Sequence, residues 1–150
     1  MADRSNEHEV FTYFNEIGII SQLSTALFEQ SLPEGMTQSQ FSVLNWFVRV
    51  DVEATPGRLA RAFQVTGGAM TNTLKKLESK GLVNVEPDKN SGRQKRVTMT
   101  RKGSQVRHKA INAVAPLLRE FAEHFPVEKL KRQTRQLAEV RQYLDEYRDQ

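Results

Sequence analysis

Between Arg58 and Arg96 the sequence sets out side chains suited to gripping a phosphate-rich polymer. Thr71 and Asn72 carry short hydrogen-bonding groups of the kind that reach base edges in a major groove. Lys75 and Lys76 follow one helical turn later, where phosphate rather than base contact is expected. Thr66 can cap the helix that bears them, and the partial positive charge at that helix start favours an anion. Gly67 and Gly68 come next, and each costs a helix about 1 kcal/mol relative to alanine. The pair fits either a close backbone approach to a ligand or a loosened turn. Arg58, near the start of the preceding helix, is a further phosphate candidate. A second cluster, Lys89, Arg93, Lys95 and Arg96, lies on a polar Gly-containing loop with the pattern PDKNSGRQKR. An arginine there can enter a narrow minor groove, and Arg93 is the candidate. Without a ligand the same cluster is a solvated hairpin.

Charge is distributed accordingly. The 150 residues carry a net +4, but residues 1–57 are net −6, residues 58–109 net +10 and residues 110–150 neutral. The middle segment has the electrostatic footprint of a phosphate-binding surface, although a basic face alone does not separate that from simple solvation. No cysteine is present, which excludes disulfides, thiolate nucleophiles and Cys-based zinc sites. His8, His108 and His124 show no ligand spacing, and there is no Gly-rich phosphate loop or His-Glu-x-x-His pair. Neither an enzyme nor a cofactor is expected. No run approaches the roughly 18 apolar residues of a membrane span, and MADRSNEHEV lacks the basic and apolar regions of a signal peptide. A cytoplasmic protein without a membrane partner is the expectation.

The elements that must position these residues follow from punctuation and periodicity. Val10, Phe14, Ile17, Leu23, Leu27 and Phe28 recur at helical spacing in a first amphipathic helix, which SLPEG ends. Thr37 can cap a second helix, with Gln40 completing a capping box and Phe41, Leu44, Phe47 and Val48 on its apolar face, Trp46 partly off it. VDVEAT reads as a short edge strand or connector. Thr55 and Pro56 give an N-cap and first-turn proline, and Leu59, Ala60 and Phe63 supply a buried face. Only Gln64 to Thr66 separate this helix from the next, so the two must cross steeply, as in a helix-turn-helix. Met70, Leu74 and Leu77 face inward from the second of them, and Gly81 ends it. LVNVE and QKRVTM are strands around a loop from Pro87 to Gly92, with Val97 and Met99 toward the core and Arg96 away from it. Thr100 can cap a fifth helix, in which Pro116 predicts a kink. A last helix carries the stripe Val127, Leu130, Leu137, Val140, Leu144 and Tyr147, which fits an intersubunit seam or packing on the first helix.

The predicted fold is mainly α with a small β-hairpin wing (α+β). It is a single domain over 1–150, with a helix-turn-helix at about 55–80, a wing at about 82–99 and flanking dimerisation helices at about 7–31 and 101–147. The run from Arg58 to Gly103 resembles the core of the MarR family of bacterial transcription regulators. The likeness is carried by L-E-x-x-G-L-V at Leu77 to Val83 and V-x-[LM]-T-x-x-G at Val97 to Gly103, and it extends into the flanking helices. The resemblance implies a homodimer with interlocked terminal helices that binds double-stranded DNA at a pseudo-palindromic operator. It also implies tuning by a small aromatic effector. The family's wing arginine falls on Arg93, whereas the acid usual two positions earlier is Ser91 here, with Asp88 as a substitute. A winged helix that binds protein rather than DNA is the alternative.

Overall fold

The computed structural model describes residues 4–149, leaving aside the side chains of Glu34 and Ser91. In chain order it contains α1 (Arg4–Ser31), α2 (Gln38–Arg49), β1 (Glu53–Ala54), α3 (Pro56–Phe63), α4 (Gly67–Ser79), β2 (Val83–Asp88), β3 (Ser91–Met99), α5 (Arg101–His124) and α6 (Val127–Arg148). A 3-10 turn at Pro33–Gly35 separates α1 from α2. The strands form one antiparallel sheet in the order β1-β3-β2. The chain divides into two compact units, Met1–Val114 and Ala115–Gln150, with the division inside α5.

The first unit holds the core. Leu44, Leu59, Leu77, Leu82, Val43, Val83 and Val97 are fully buried, bringing together α2, α3, α4 and the sheet. Burying each such side chain stabilises by about 1.5–3 kcal/mol, so this cluster decides where the helix-turn-helix sits. The buried face of α2 is rotated from the expected one. Gln40, Val43, Leu44, Trp46 and Phe47 are buried, whereas Val48 is 53% exposed. A stripe chosen from Phe41 and Val48 misses Gln40 because a polar residue at a core position does not read as apolar. Its amide is satisfied: Gln40 Oε1 accepts from Lys80 Nζ at 3.0 Å. That use replaces the expected return leg of the capping box, while Thr37 Oγ1 does accept the Gln40 amide at 3.2 Å.

No residue of α1 is buried, and Val10, Phe14, Leu23 and Leu27 are all exposed. In the second unit α6 likewise buries none of its apolar stripe, with Val127, Leu137, Leu144 and Tyr147 exposed. Both helices have apolar faces left open to solvent within the single chain.

Candidate nucleic-acid interface

Helix α4 is set by its two ends. Thr55 Oγ1 accepts the Arg58 amide at 3.1 Å to start α3, and Pro56 occupies the first turn, where its missing amide hydrogen costs nothing. Gln64 ends α3 in the left-handed region, φ 53° and ψ 46°, which reverses the chain within three residues. Thr66 then caps α4, accepting the Ala69 amide at 3.1 Å. Met70, Leu74 and Leu77 anchor α4 in the core. The same rotation leaves Gly67, Gly68, Thr71, Asn72, Lys75 and Lys76 exposed. A Cβ added at Gly67 or Gly68 would meet nothing within 4 Å, so no neighbour inside the chain requires glycine there.

At its other end α4 closes on Gly81, φ 74°. Thr100 then locks this junction to α5: its hydroxyl donates to the Gly81 carbonyl at 2.6 Å and accepts the Gly103 amide at 3.0 Å. Arg107 ties α5 to α2 by donating from Nε and Nη2 to Asn45 Oδ1 at 3.1 and 2.9 Å.

The wing differs from the expected long loop. Its strands pair from Val83↔Met99 to Asp88↔Ser91, leaving only Lys89 and Asn90 as the turn. Pro87 pairs with Lys95 and Asp88 with Ser91, so Gly92, Arg93 and Gln94 have no partner on β2 and form a bulge. Arg93 is therefore exposed on a bulge beside the turn rather than at the hairpin tip. Asp88 Oδ1 accepts the Asn90 amide at 3.1 Å, which commits it to shaping the turn rather than to steadying Arg93. The Ser91 side chain, at the position of the missing acid, lies outside the described residues. Lys89 and Lys95 are exposed.

Two arginines expected at phosphates are engaged within the protein. Arg58 Nη1 meets Asp51 Oδ2 at 2.9 Å, and its guanidinium lies 5.0 Å from the centre of the Trp46 ring. The hydrogen bond from Arg58 is the main reason that the Asp51 carboxyl titrates below the ordinary aspartate range. Arg96 Nη1 lies 3.4 Å from Glu53 Oε2, and its Nη2 lies 3.8 Å from Glu86 Oε2. These side chains line a cleft of about 390 Å3 between β1, the start of α3 and the wing turn. In the cleft Asp51, Glu53 and Asp88 balance Arg58, Lys89 and Arg96. The pairing of Glu53 with Arg96, 43 positions away, has no local sequence signal, and that of Asp51 with Arg58, 7 positions on, depends on the path of the connector between α2 and α3. A smaller cavity, about 240 Å3, opens between the start of α2 and the α3–α4 turn, beside Ser42, Val43, Phe63, Met70 and Thr73.

Residues 34–94, spanning the start of α2 through the wing bulge, match the model of the MarR family. That match covers the winged-helix core and leaves α1, α5 and α6 outside it. The chain is similar to a Cys-to-Ser mutant of MarR from E. coli complexed with operator DNA, at 26% identity and a TM-score of 0.76, over 88% of this chain and 95% of that one. It is similar also to the transcriptional regulator BldR from Sulfolobus solfataricus, at 27% identity and a TM-score of 0.74, over 88% and 96% of the two chains. A MarR family transcription regulator 22% identical to the chain shares its fold over the full length of both, with a TM-score of 0.74. No curated protein sequence is significantly similar to the chain. Both of the structures at 26–27% identity are of transcription regulators. Among the described residues no helix is long and apolar enough to cross a membrane.

Proposed function

We propose that the protein is a sequence-specific DNA-binding transcription regulator acting as a homodimer on a pseudo-palindromic operator. The observation that carries this reading is the outer face of α4, where Thr71, Asn72, Lys75 and Lys76 are all exposed on a helix anchored by Met70, Leu74 and Leu77. Thr71 and Asn72 reach base edges in the major groove, and Lys75 and Lys76 hold flanking phosphates. The helix start at Thr66, Gly67 and Gly68 approaches the backbone. Arg93, raised on its bulge between Lys89 and Lys95, enters the minor groove. The operator DNA bound by the similar MarR mutant supports this assignment.

Dimerisation uses the open apolar faces of α1 and α6, which a soluble monomer would leave wet. A small aromatic effector shifts the affinity, and repression relieved by that effector is the regulatory sense proposed. The test is selection of bound duplexes from a random pool, followed by footprinting. Two half-sites with centres about one helical turn apart are expected. Recovery of unrelated sequences without symmetry would instead favour a protein-binding winged helix.

A further inference from the structure

The short segment from Asp51 to Ala54 carries two ion pairs to opposite parts of the winged helix. Asp51, just before β1, accepts from Arg58 Nη1 at 2.9 Å and thereby holds the first turn of α3. Glu53, within β1, accepts from Arg96 Nη1 at 3.4 Å and thereby holds the wing. Arg96 is also the direct cross-strand partner of Glu86, so one guanidinium spans β1, β3 and β2. Its position matters. Arg96 and Lys95 are where β3 returns to register after the bulge of Gly92, Arg93 and Gln94. The direction in which Arg93 leaves the sheet is therefore set where Arg96 is pinned.

Charge points the same way. The cleft around Arg58 and Arg96 holds as many carboxylates as cations and offers phosphate no net attraction. Lys75, Lys76 and Arg93, by contrast, have no carboxylate partner among the described residues. Arg58 and Arg96 are then held for geometry, and the exposed cations are left for the polymer.

We propose that the Asp51 to Ala54 segment is a brace that fixes the wing relative to the helix-turn-helix, with Glu53 a positioning residue for Arg93. Asp51 and Arg58 tie the brace to the reading helices, and Glu53 and Arg96 tie it to the wing. The role of Arg93 at DNA rests on the function proposed above, whereas the brace itself is a property of the free protein.

The sign of one substitution separates this device from simple electrostatics. Glu53→Gln removes a negative charge beside a polyanion-binding surface, which on charge alone should tighten binding. The brace instead requires weaker binding to the duplex recovered by selection, by about two- to fivefold given the strength of exposed ion pairs. That loss should vanish in an Arg93→Ala background, because only the aim of Arg93 is affected. In the free dimer, amide hydrogens of β2 and β3 should exchange faster in Glu53→Gln than in wild type, with α4 unchanged. Tighter binding, or equal weakening with and without Arg93, overturns the proposal. So does unchanged wing exchange, which judges the brace even if the wild-type protein binds no duplex specifically and the DNA reading fails.

Discussion

Gly103, in the first turn of α5, lies flush against the main-chain carbonyl of Leu82. A Cβ there would overlap the oxygen and come within 2.9 Å of Met99 Cγ. The same carbonyl accepts the Thr100 amide at 3.0 Å, so it is fixed from both sides. The closing glycine of V-x-M-T-x-x-G is thus a packing requirement where α5 meets the end of the reading helix. Gly103→Ala should destabilise the protein by about 1–3 kcal/mol, despite alanine's better helix propensity, because a backbone oxygen cannot swing aside as a side chain can. Urea denaturation of the two proteins would measure it.

Gly67 and Gly68 should behave in the opposite way. A Cβ at either has open space around it, so Gly67→Ala and Gly68→Ala should each stabilise the free protein by about 0.4–1 kcal/mol. Operator affinity should nevertheless fall, because in the function proposed the added methyl stands where the DNA backbone approaches. Thermal melts and binding titrations on the same variants should move in opposite directions. A gain in both would return the glycines to a loosened turn.

The bond from Arg107 to Asn45 is partly buried and uses two donors on one oxygen. Arg107→Ala should cost about 1–3 kcal/mol in stability, the range for hydrogen bonds to a charged group. Asn45→Ala should cost a similar amount, and the double variant should be less destabilised than the sum of the two. Chemical denaturation of all four proteins completes the cycle.

Asp51 supplies a pH prediction. Its folded-state pKa is depressed, chiefly by the hydrogen bond from Arg58. The pair therefore contributes above the ordinary aspartate range and is lost as pH falls through the lowered folded value. Carboxyl NMR should show Asp51 titrating below the ordinary range in the wild-type protein. In Arg58→Ala the midpoint should rise toward the unperturbed value.

Much of the fold was legible because its signals are local. Thr55-Pro56, the short Gln64 to Thr66 turn and Gly81 each fix the backbone within a few residues, and each lies where periodicity predicts. The face of α2 was misjudged because Gln40 is a buried polar residue whose partner, Lys80, is forty positions away. Trp46 was misplaced for a related reason, since its ring lies beneath a guanidinium from the next helix. The exposure of Thr71, Asn72, Lys75 and Lys76 followed from the apolar spacing of Met70, Leu74 and Leu77. The pairing of Arg58 and Arg96 with Asp51 and Glu53 did not, because the path of the connector before α3 brings the first pair together and sheet register the second. The bulge at Arg93 was hidden for a similar reason. Pro87 through Gly92 reads as a loop, and only the Pro87–Lys95 and Asp88–Ser91 pairing shows that β3 carries the extra residues.

The most direct test of the account is the salt dependence of binding to the selected duplex, for wild type and for Arg93→Ala. With Lys75, Lys76 and the wing cations of two subunits at phosphates or in the minor groove, log affinity should fall linearly and steeply with log salt concentration. Each phosphate contact adds about 0.9 to the slope. Arg93→Ala should bind more weakly and with a shallower slope. A flat dependence in the wild-type protein, or an Arg93→Ala variant that binds as well as wild type with the same slope, would contradict it.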